Sequence, residues 1–353
     1  MPPPVAPTPP PAPPEATAAP PLARAGLARP WLLADIGGTN ARFGWLAEGA
    51  SAVSHVATLP AAGHAGPGAA ATEYLADVAR ALGAAYRPPR AGAFAVATAV
   101  GADRIAFTNS GWAFSRRAAQ QALGLDELLI LNDFEALALS LPRLAASQLR
   151  AWSGAVAAPP PRATLAVIGP GTGLGVAGLV PTAHGWVAVP GEGGHASLSA
   201  ADNFDAAVLA AVRREHTHVS AERLLSGIGL PVLHRAVAEV LGANAPQRAA
   251  EHIVELGLSG SDGVCGRTLD SFCALLGSFA GNVALVLGAR GGVYIGGGIV
   301  PRLGERFFQS QFRQRFEAKG RFQTYLQAIP TPLITDTLAA LNGAVQALDQ
   351  HGG

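Results

Sequence analysis

The sequence predicts a duplicated α/β fold, with two lobes facing each other across a central cleft. Three observations carry that prediction. Trp31-Leu-Leu-Ala-Asp-Ile-Gly-Gly-Thr-Asn-Ala-Arg-Phe-Gly-Trp45 reads as an apolar strand, a glycine–threonine turn and a second strand. Thr164-Leu-Ala-Val-Ile-Gly-Pro-Gly-Thr-Gly-Leu-Gly-Val-Ala-Gly-Leu-Val180 repeats the plan, Gly171-Thr172 aligning with Gly38-Thr39. The chain's 353 residues are enough for two domains. A phosphate-bearing ligand would then lie across the cleft with one hairpin on each side.

In the first segment the strand ends at Asp35 beside Gly37-Gly38-Thr39. A carboxylate next to a glycine turn can hold a cation and let backbone N–H groups approach a phosphate. The chain continues as strand rather than helix, which separates it from a Walker A loop. An ordinary tight hairpin has the same pattern.

Leu128-Leu-Ile-Leu-Asn-Asp-Phe-Glu-Ala-Leu-Ala-Leu-Ser140 reads as a buried strand running into an amphipathic helix, with Asn132 and Asp133 at the junction. The helix N-terminus favours an ionised carboxylate, so Asp133 is expected as a charged, weak base. Such a base suits a loose phosphoryl-transfer transition state, where orienting a hydroxyl matters more than basicity. A helix-capping Asx pair accounts for the same two residues.

Within the second segment, Gly173-Leu-Gly175-Val-Ala-Gly178 with the later Glu192 imitates a dinucleotide fingerprint. The fingerprint must open a helix, and here it opens a strand, so a dehydrogenase is rejected on context. Pro190-Gly-Glu-Gly-Gly-His-Ala196 places Glu192 and His195 in a loop with little bulk around them. An acid and an imidazole can together satisfy several vicinal hydroxyls, although a plain surface turn fits as well. Glu222, in Ser220-Ala-Glu-Arg-Leu-Leu-Ser-Gly-Ile-Gly229, is read near a helix start, where it would complement the dipole. Gly291-Gly-Val-Tyr-Ile-Gly-Gly-Gly-Ile-Val-Pro301 runs a short strand into Gly296, Gly297 and Gly298. Those glycines suit either a flat ring or ribose against the backbone, or close strand–helix packing.

Ser271 to Ala289 carries no charge and is long enough to span a bilayer. Phe272, Leu275, Leu276, Phe279, Val283, Val286 and Leu287 fall on one side, with small residues and Asn282 opposite. A helix buried in a protein core is the preferred reading.

Lys319 is the only lysine in the chain. Walker A, protein-kinase and Schiff-base chemistry all need a lysine in the site, and Lys319 lies in an unremarkable polar run. Glycine backbones, arginines and a metal must then handle any phosphate. The net charge of +1 gives no footprint for nucleic acid or an anionic membrane. Cys265 and Cys273 have no ligand partners nearby in sequence, so no zinc site is expected, and the low count fits a reducing cytosol. Residues 1–29 are rich in proline and alanine and read as a disordered, partly polyproline tail without the features of a signal peptide.

Taken together, these motifs resemble the bacterial glucokinase family of the non-repressor type. The resemblance runs from Leu33 to about Ala347 and includes Ala34-Asp-Ile-Gly-Gly-Thr-Asn-Ala-Arg42, Thr108-Asn-Ser-Gly-Trp-Ala-Phe-Ser115 and Leu131-Asn-Asp-Phe134. It continues through Gly169 to Gly175, Pro190 to His195, Ser220 to Arg223 and Gly296 to Arg302. It implies an actin/hexokinase (ribonuclease-H-like) fold and ATP-dependent phosphorylation of glucose at its 6-hydroxyl. Asp133 would be the base, with Asn132 beside it on the sugar and Glu192, His195 and Glu222 on the ring hydroxyls. Ala34, Asp35, Ile36, Gly37, Gly38 and Thr39 would form the ATP phosphate loop, Asp35 holding Mg2+ through water. Gly171, Thr172 and Gly173 would be the second phosphate clamp, and Gly296, Gly297 and Gly298 would lie near the nucleoside.

The resemblance also implies a cytoplasmic homodimer whose partners are glucose and ATP, with no nucleic acid and no membrane. The expected division is a tail (1–29), a small lobe (30–143) joined by a C-terminal helix (about 335–350), and a large lobe (144–334). The proline-rich head, Ala97-Thr-Ala-Val100 and Ile228 depart from the family pattern. A non-enzymatic sugar sensor of the same fold is the competing expectation, which the presence of Asp133 disfavours.

Overall fold

The computed structural model describes residues 27–98, 100–107, 111–152 and 162–351. The segment Thr108–Ser110, part of one family motif, Ala99 and most of the proline-rich head lie outside the described residues. Residues 27–29 of the expected tail already belong to the folded body. Arg29 donates to the Ala50 carbonyl at 2.6 Å and pairs with Asp349 at 3.1 Å.

The first sheet begins as an antiparallel meander of β1 (Trp31–Ile36), β2 (Asn40–Leu46) and β3 (Ser54–Pro60). Helix α1 (Pro67–Leu82) crosses back, and β4 (Ala91–Val96) returns parallel to β1. All six β4 residues are buried, as a central parallel strand covered on both faces requires. A small hairpin of β5 (Arg104–Ala106) and β6 (Ala113–Ser115) and helix α2 (Arg116–Ala122) lead into β7 (Glu127–Asn132), parallel to β4. The strand order is β3-β2-β1-β4-β7.

Helix α3 (Asp133–Ser140) and the short β8 (Leu149–Arg150) precede the second sheet. There β9 (Leu165–Pro170), β10 (Leu174–Thr182) and β11 (Gly185–Gly191) repeat the meander. Helices α4 (Asn203–Arg213), α5 (Leu230–Val240), α6 (Ala250–Ser259) and α7 (Gly263–Leu287) intervene before β12 (Gly292–Ile295), parallel to β9. Four short helices, α8 (Ile299–Leu303), α9 (Glu305–Gln309), α10 (Phe312–Glu317) and α11 (Gln323–Gln327), lead to β13 (Leu333–Ile334). The order β11-β10-β9-β12-β13-β8 reproduces the first sheet strand for strand and adds one edge. This is the duplication read from the two glycine segments. The strand continuing past Gly175 also disposes of the dinucleotide fingerprint.

The C-terminal helix α12 (Ala339–His351) returns to the first sheet. Its Leu341, Val345 and Leu348 pack on Trp31, Leu33, Ala91 and Ala93. Helix α3 faces both sheets, because Ala136 and Leu139 share a core with Leu165, Val167, Ala177 and Leu179 and with Ala339 and Ala347 of α12. Helices α3 and α12 touch at Gly343, where a Cβ would overlap the Ala136 carbonyl.

The apolar stretch is α7, sunk in the large core beside α5, α6 and α10. Its small face is a helix–helix contact: a Cβ at Gly277 would overlap the Phe312 carbonyl, and one at Gly281 would come within 2.6 Å of the Phe316 carbonyl. The sequence reading put Val286 on the apolar side, but it is 83% exposed, while its neighbours Leu285 and Leu287 pack against the core.

Candidate active site

Strands β1, β4 and β7 run parallel, so their carboxyl ends share the edge where open α/β sheets bind ligands. Asp35 is in register with Ala95, and Asn132 with Val96. Asp35 and Asp133 therefore stand two strand spacings apart, about 10 Å between backbones. Asn132 caps α3: its Oδ1 accepts from Phe134 N at 2.9 Å and Glu135 N at 3.4 Å. Glu135 closes the capping box by accepting from Asn132 N, and Asn132 Nδ2 donates to the Thr98 carbonyl at 3.2 Å. Capping thus occupies Asn132, leaving one amide N–H without a partner among the described residues. Asp133 Oδ1 accepts from Phe134 N at 2.9 Å, and no described donor meets its Oδ2.

Burial pushes the Asp133 carboxyl up from 3.8 to about 6. Backbone N–H donors oppose that rise, while the charges of Asp35 and Glu192 add to it. The sequence reading had the helix N-terminus dominating. Desolvation outweighs it, and the base is stronger than expected. Burial also raises Asp35, opposed by Arg42, its direct partner across the β1–β2 ladder. Arg42 in turn donates to the Thr337 carbonyl at 2.5 Å.

These acids suit a divalent cation. Two carboxylates raised by burial, with Asp133 raised further by the charge of Asp35, gain from a nearby positive charge. Among the described residues no cluster of three or more His, Cys, Asp or Glu forms a protein-only cage. Mg2+ needs none, since one or two carboxylates, water and substrate phosphates complete its shell.

Glu192, His195 and Glu222 converge. His195 Nε2 lies 3.8 Å from Glu192 Oε2, and His195 Nδ1 lies 3.9 Å from Glu222 Oε1. Glu192 and His195 are open to solvent, while Glu222 is mostly covered. Glu222 sits in a turn eight residues before α5 begins, so the dipole reading of it fails. Its placement comes from backbone ties, Glu222 N to the Gly194 carbonyl at 2.8 Å and Leu174 N to Glu222 Oε2 at 2.8 Å. A Cβ at Gly173 would come within 2.5 Å of that same carboxylate oxygen.

In the first hairpin Ala34 and Ile36 are fully buried in the lobe core, so only Asp35 of the three presents chemistry. Gly37 N donates to the Asn40 carbonyl at 2.9 Å, and Thr39 is exposed at the tip. In the second hairpin Gly171 N donates to the Gly173 carbonyl, and Gly227 N to the Gly171 carbonyl, both at 2.8 Å. Gly171 and Thr172 line a cavity of about 600 Å³ with Gly227, Leu230, Val254 and Gly298. Of the third glycine group only Gly298 reaches this cavity. Gly296 packs on Leu137, and Gly297 adopts φ +75° against the Pro170 carbonyl.

Three features escaped the sequence reading. The cavity wall draws on α5 and α6, far along the chain, and no local pattern marks them. Cys265 Sγ lies 3.6 Å from the buried His234 Nε2, a neighbour the linear spacing hid. Phe134 covers Gly169 and Gly175, and glycines inside a strand do signal such a close approach.

The model of the Glucokinase family matches residues 32–351. A glucokinase from Chromobacterium violaceum is 48% identical over 328 residues, 92% of each chain. The crystal structure of a glucokinase from an Antarctic psychrotroph is similar at a TM-score of 0.83 and 38% identity, over 92% of this chain and 99% of that one. A ROK hexokinase from Thermus thermophilus shares the fold at a TM-score of 0.63 and 17% identity, over 90% and 98% of the two chains.

Proposed function

This chain belongs to the glucokinase family and phosphorylates glucose, and on that premise we propose that Asp133 is the base that directs the phosphoryl group of ATP to the 6-hydroxyl. The observation that carries the reading is a buried carboxyl, raised to about 6, at the end of β7, close enough to Asp35 of β1 and to Glu192 beyond β11 to feel both charges. A base with that affinity is ionised at neutral pH yet holds a proton well, which general-base catalysis needs.

Asp133 Oδ1 is occupied by Phe134 N, so Oδ2 accepts the 6-hydroxyl proton as the bond from that oxygen to the γ-phosphorus forms and the bond from phosphorus to the bridging oxygen breaks, releasing ADP. Glu222 Oε1, Glu192 and His195 take the ring hydroxyls, with Glu222 Oε2 fixed by Leu174 N. Within the Gly37–Thr39 and Gly171–Gly173 turns, where the Gly37 and Gly171 N–H groups are held by carbonyls, Gly38, Thr39, Thr172 and Gly173 present their backbone N–H groups to the phosphates. The adenosine lies in the cavity walled by Leu230, Val254 and Gly298. Asp35 is the residue that would hold Mg2+, and the ion would supply neutralisation of charge on the transferring phosphoryl oxygens. Lobe closure on the sugar keeps water from replacing the hydroxyl.

The same proposal includes a cytoplasmic homodimer feeding glycolysis, with glucose and ATP as its partners rather than nucleic acid or membrane. It also divides the chain into lobes at 30–143 and 144–334, with α3 and α12 as a shared layer. The test is a panel of glucose, mannose, glucosamine and fructose with Mg-ATP, the product read by phosphorus NMR. Phosphate on the 6-oxygen of glucose is expected. Phosphate released to water, or placed on another hydroxyl, overturns the assignment.

A further inference from the structure

The side chain after the base does something that capping and core packing do not require. Phe134 N donates to Asn132 Oδ1 and to Asp133 Oδ1, each at 2.9 Å. Its ring meanwhile leaves α3 and lies against the opposite lobe. A Cβ at Gly175 would overlap the ring, and one at Gly169 would come within 2.7 Å of ring Cζ and 2.9 Å of Cε1. Gly169 and Gly175 are direct partners across the β9–β10 ladder, so the ring covers a window of two facing glycines. Neither glycine has a positive φ. Glycine is needed at both for space, not for backbone conformation. The turn that closes this ladder is Gly171-Thr172-Gly173, one residue beyond the window on either strand.

We propose that Phe134 is a positioning residue whose ring, seated on Gly169 and Gly175, sets the Asp133 carboxylate in register with the second glycine hairpin. This rests on Asp133 being the base. The backbone N–H of Phe134 fixes one carboxylate oxygen, and the ring ties that N–H to the strands that carry the phosphate turn. A shift of the hairpin therefore moves the base with it. An error of about 1 Å in such a placement lowers a rate by roughly a hundredfold.

The test is a double-mutant cycle on turnover. Phe134→Leu empties part of the window and is expected to lower kcat ten- to a hundredfold with KM for glucose within threefold. Gly175→Ala pushes the ring off the ladder and is expected to lower kcat further. In the double variant the new methyl fills space the smaller side chain vacates, so kcat rises above that of Gly175→Ala alone. Independent, multiplicative effects in the double variant overturn the proposal, as does an unchanged kcat in Phe134→Leu. A loss in Phe134→Leu that resides wholly in KM also overturns it. If Gly175→Ala does not fold, as judged by thermal melting and glucose binding, Gly169→Ala replaces it against ring Cζ. Absence of glucose-dependent turnover in the wild type, or its persistence in Asp133→Ala, defeats the assignment of the base instead.

Discussion

Replacing Asp133 with asparagine is expected to abolish catalysis and stabilise the protein. The argument follows from where the proton resides. Burial raises the folded-state carboxyl from 3.8 to about 6, so the folded chain binds this proton more tightly than the unfolded chain. The favourable contribution is complete below about pH 4 and is lost as pH rises through about 6. At 1.36 kcal/mol per pKa unit, the ionised group at pH 7.5 stands at a disadvantage of about 3 kcal/mol. Asparagine keeps an acceptor for Phe134 N and removes the charge. Its two amide hydrogen atoms still need partners, which leaves a net gain of roughly 1–3 kcal/mol. For a chain of this size that is a rise in melting temperature of roughly 1–5 °C. The assay is thermal melting of ligand-free wild type and Asp133→Asn at pH 7.5 and pH 5. The gain should be present at pH 7.5 and smaller by about 1.4 kcal/mol at pH 5, since the wild type recovers the rest of its roughly 3 kcal/mol only as pH falls below about 4. A variant that melts at or below the wild type at pH 7.5, or a gain independent of pH, refutes the reasoning.

The acidic limb of kcat/KM for glucose should fall with unit slope below about pH 6 as Asp133 takes up its proton, and a limb near pH 4 would contradict the burial argument. Glu222→Gln should raise KM for glucose by roughly ten- to a hundredfold, the worth of a charge-assisted hydrogen bond, while melting within a few degrees of wild type. Steady-state kinetics with glucose varied would expose an unchanged KM. Gly298→Val should raise KM for ATP about tenfold and leave glucose binding intact, because nothing lies within 4 Å of a Cβ there and the added methyls enter the cavity. Equal ATP affinity would remove Gly298 from the nucleotide wall. Gly277→Ala should cost about 1–3 kcal/mol in denaturant unfolding by overlapping the Phe312 carbonyl, and a neutral effect would mean that α7 and α10 can part.

Much of the fold was legible because its repeat is local. Each hairpin announces itself through a glycine–threonine turn between two apolar strands, and β9–β10 repeats β1–β2 in both pattern and pairing. The helix α7 was legible for a similar reason, since its small residues and its phenylalanines fall on separate faces. Burial, by contrast, is a property of the assembled lobes. Nothing around Asp133 in sequence shows how far desolvation outweighs the helix terminus. Glu222 looked like a helix-start acid because its partner, Leu174 N, is 48 residues away. For Gly296, Gly297 and Gly298 the local pattern left ligand contact and close packing both open; Gly296 and Gly297 lie against Leu137 and Pro170, and Gly298 lines the cavity. In the false fingerprint, glycine serves close packing at each position: Gly173 on Glu222, Gly175 on Phe134 and Gly178 on Leu287.

The most direct measurement is glucose-dependent ADP formation from Mg-ATP, with wild type and Asp133→Ala side by side and glucose binding followed in both. The account predicts turnover in the wild type, a fall of at least about a thousandfold in the variant, and glucose affinity that changes far less. Turnover that survives the substitution, or a loss explained entirely by lost glucose binding, would contradict Asp133 as the base.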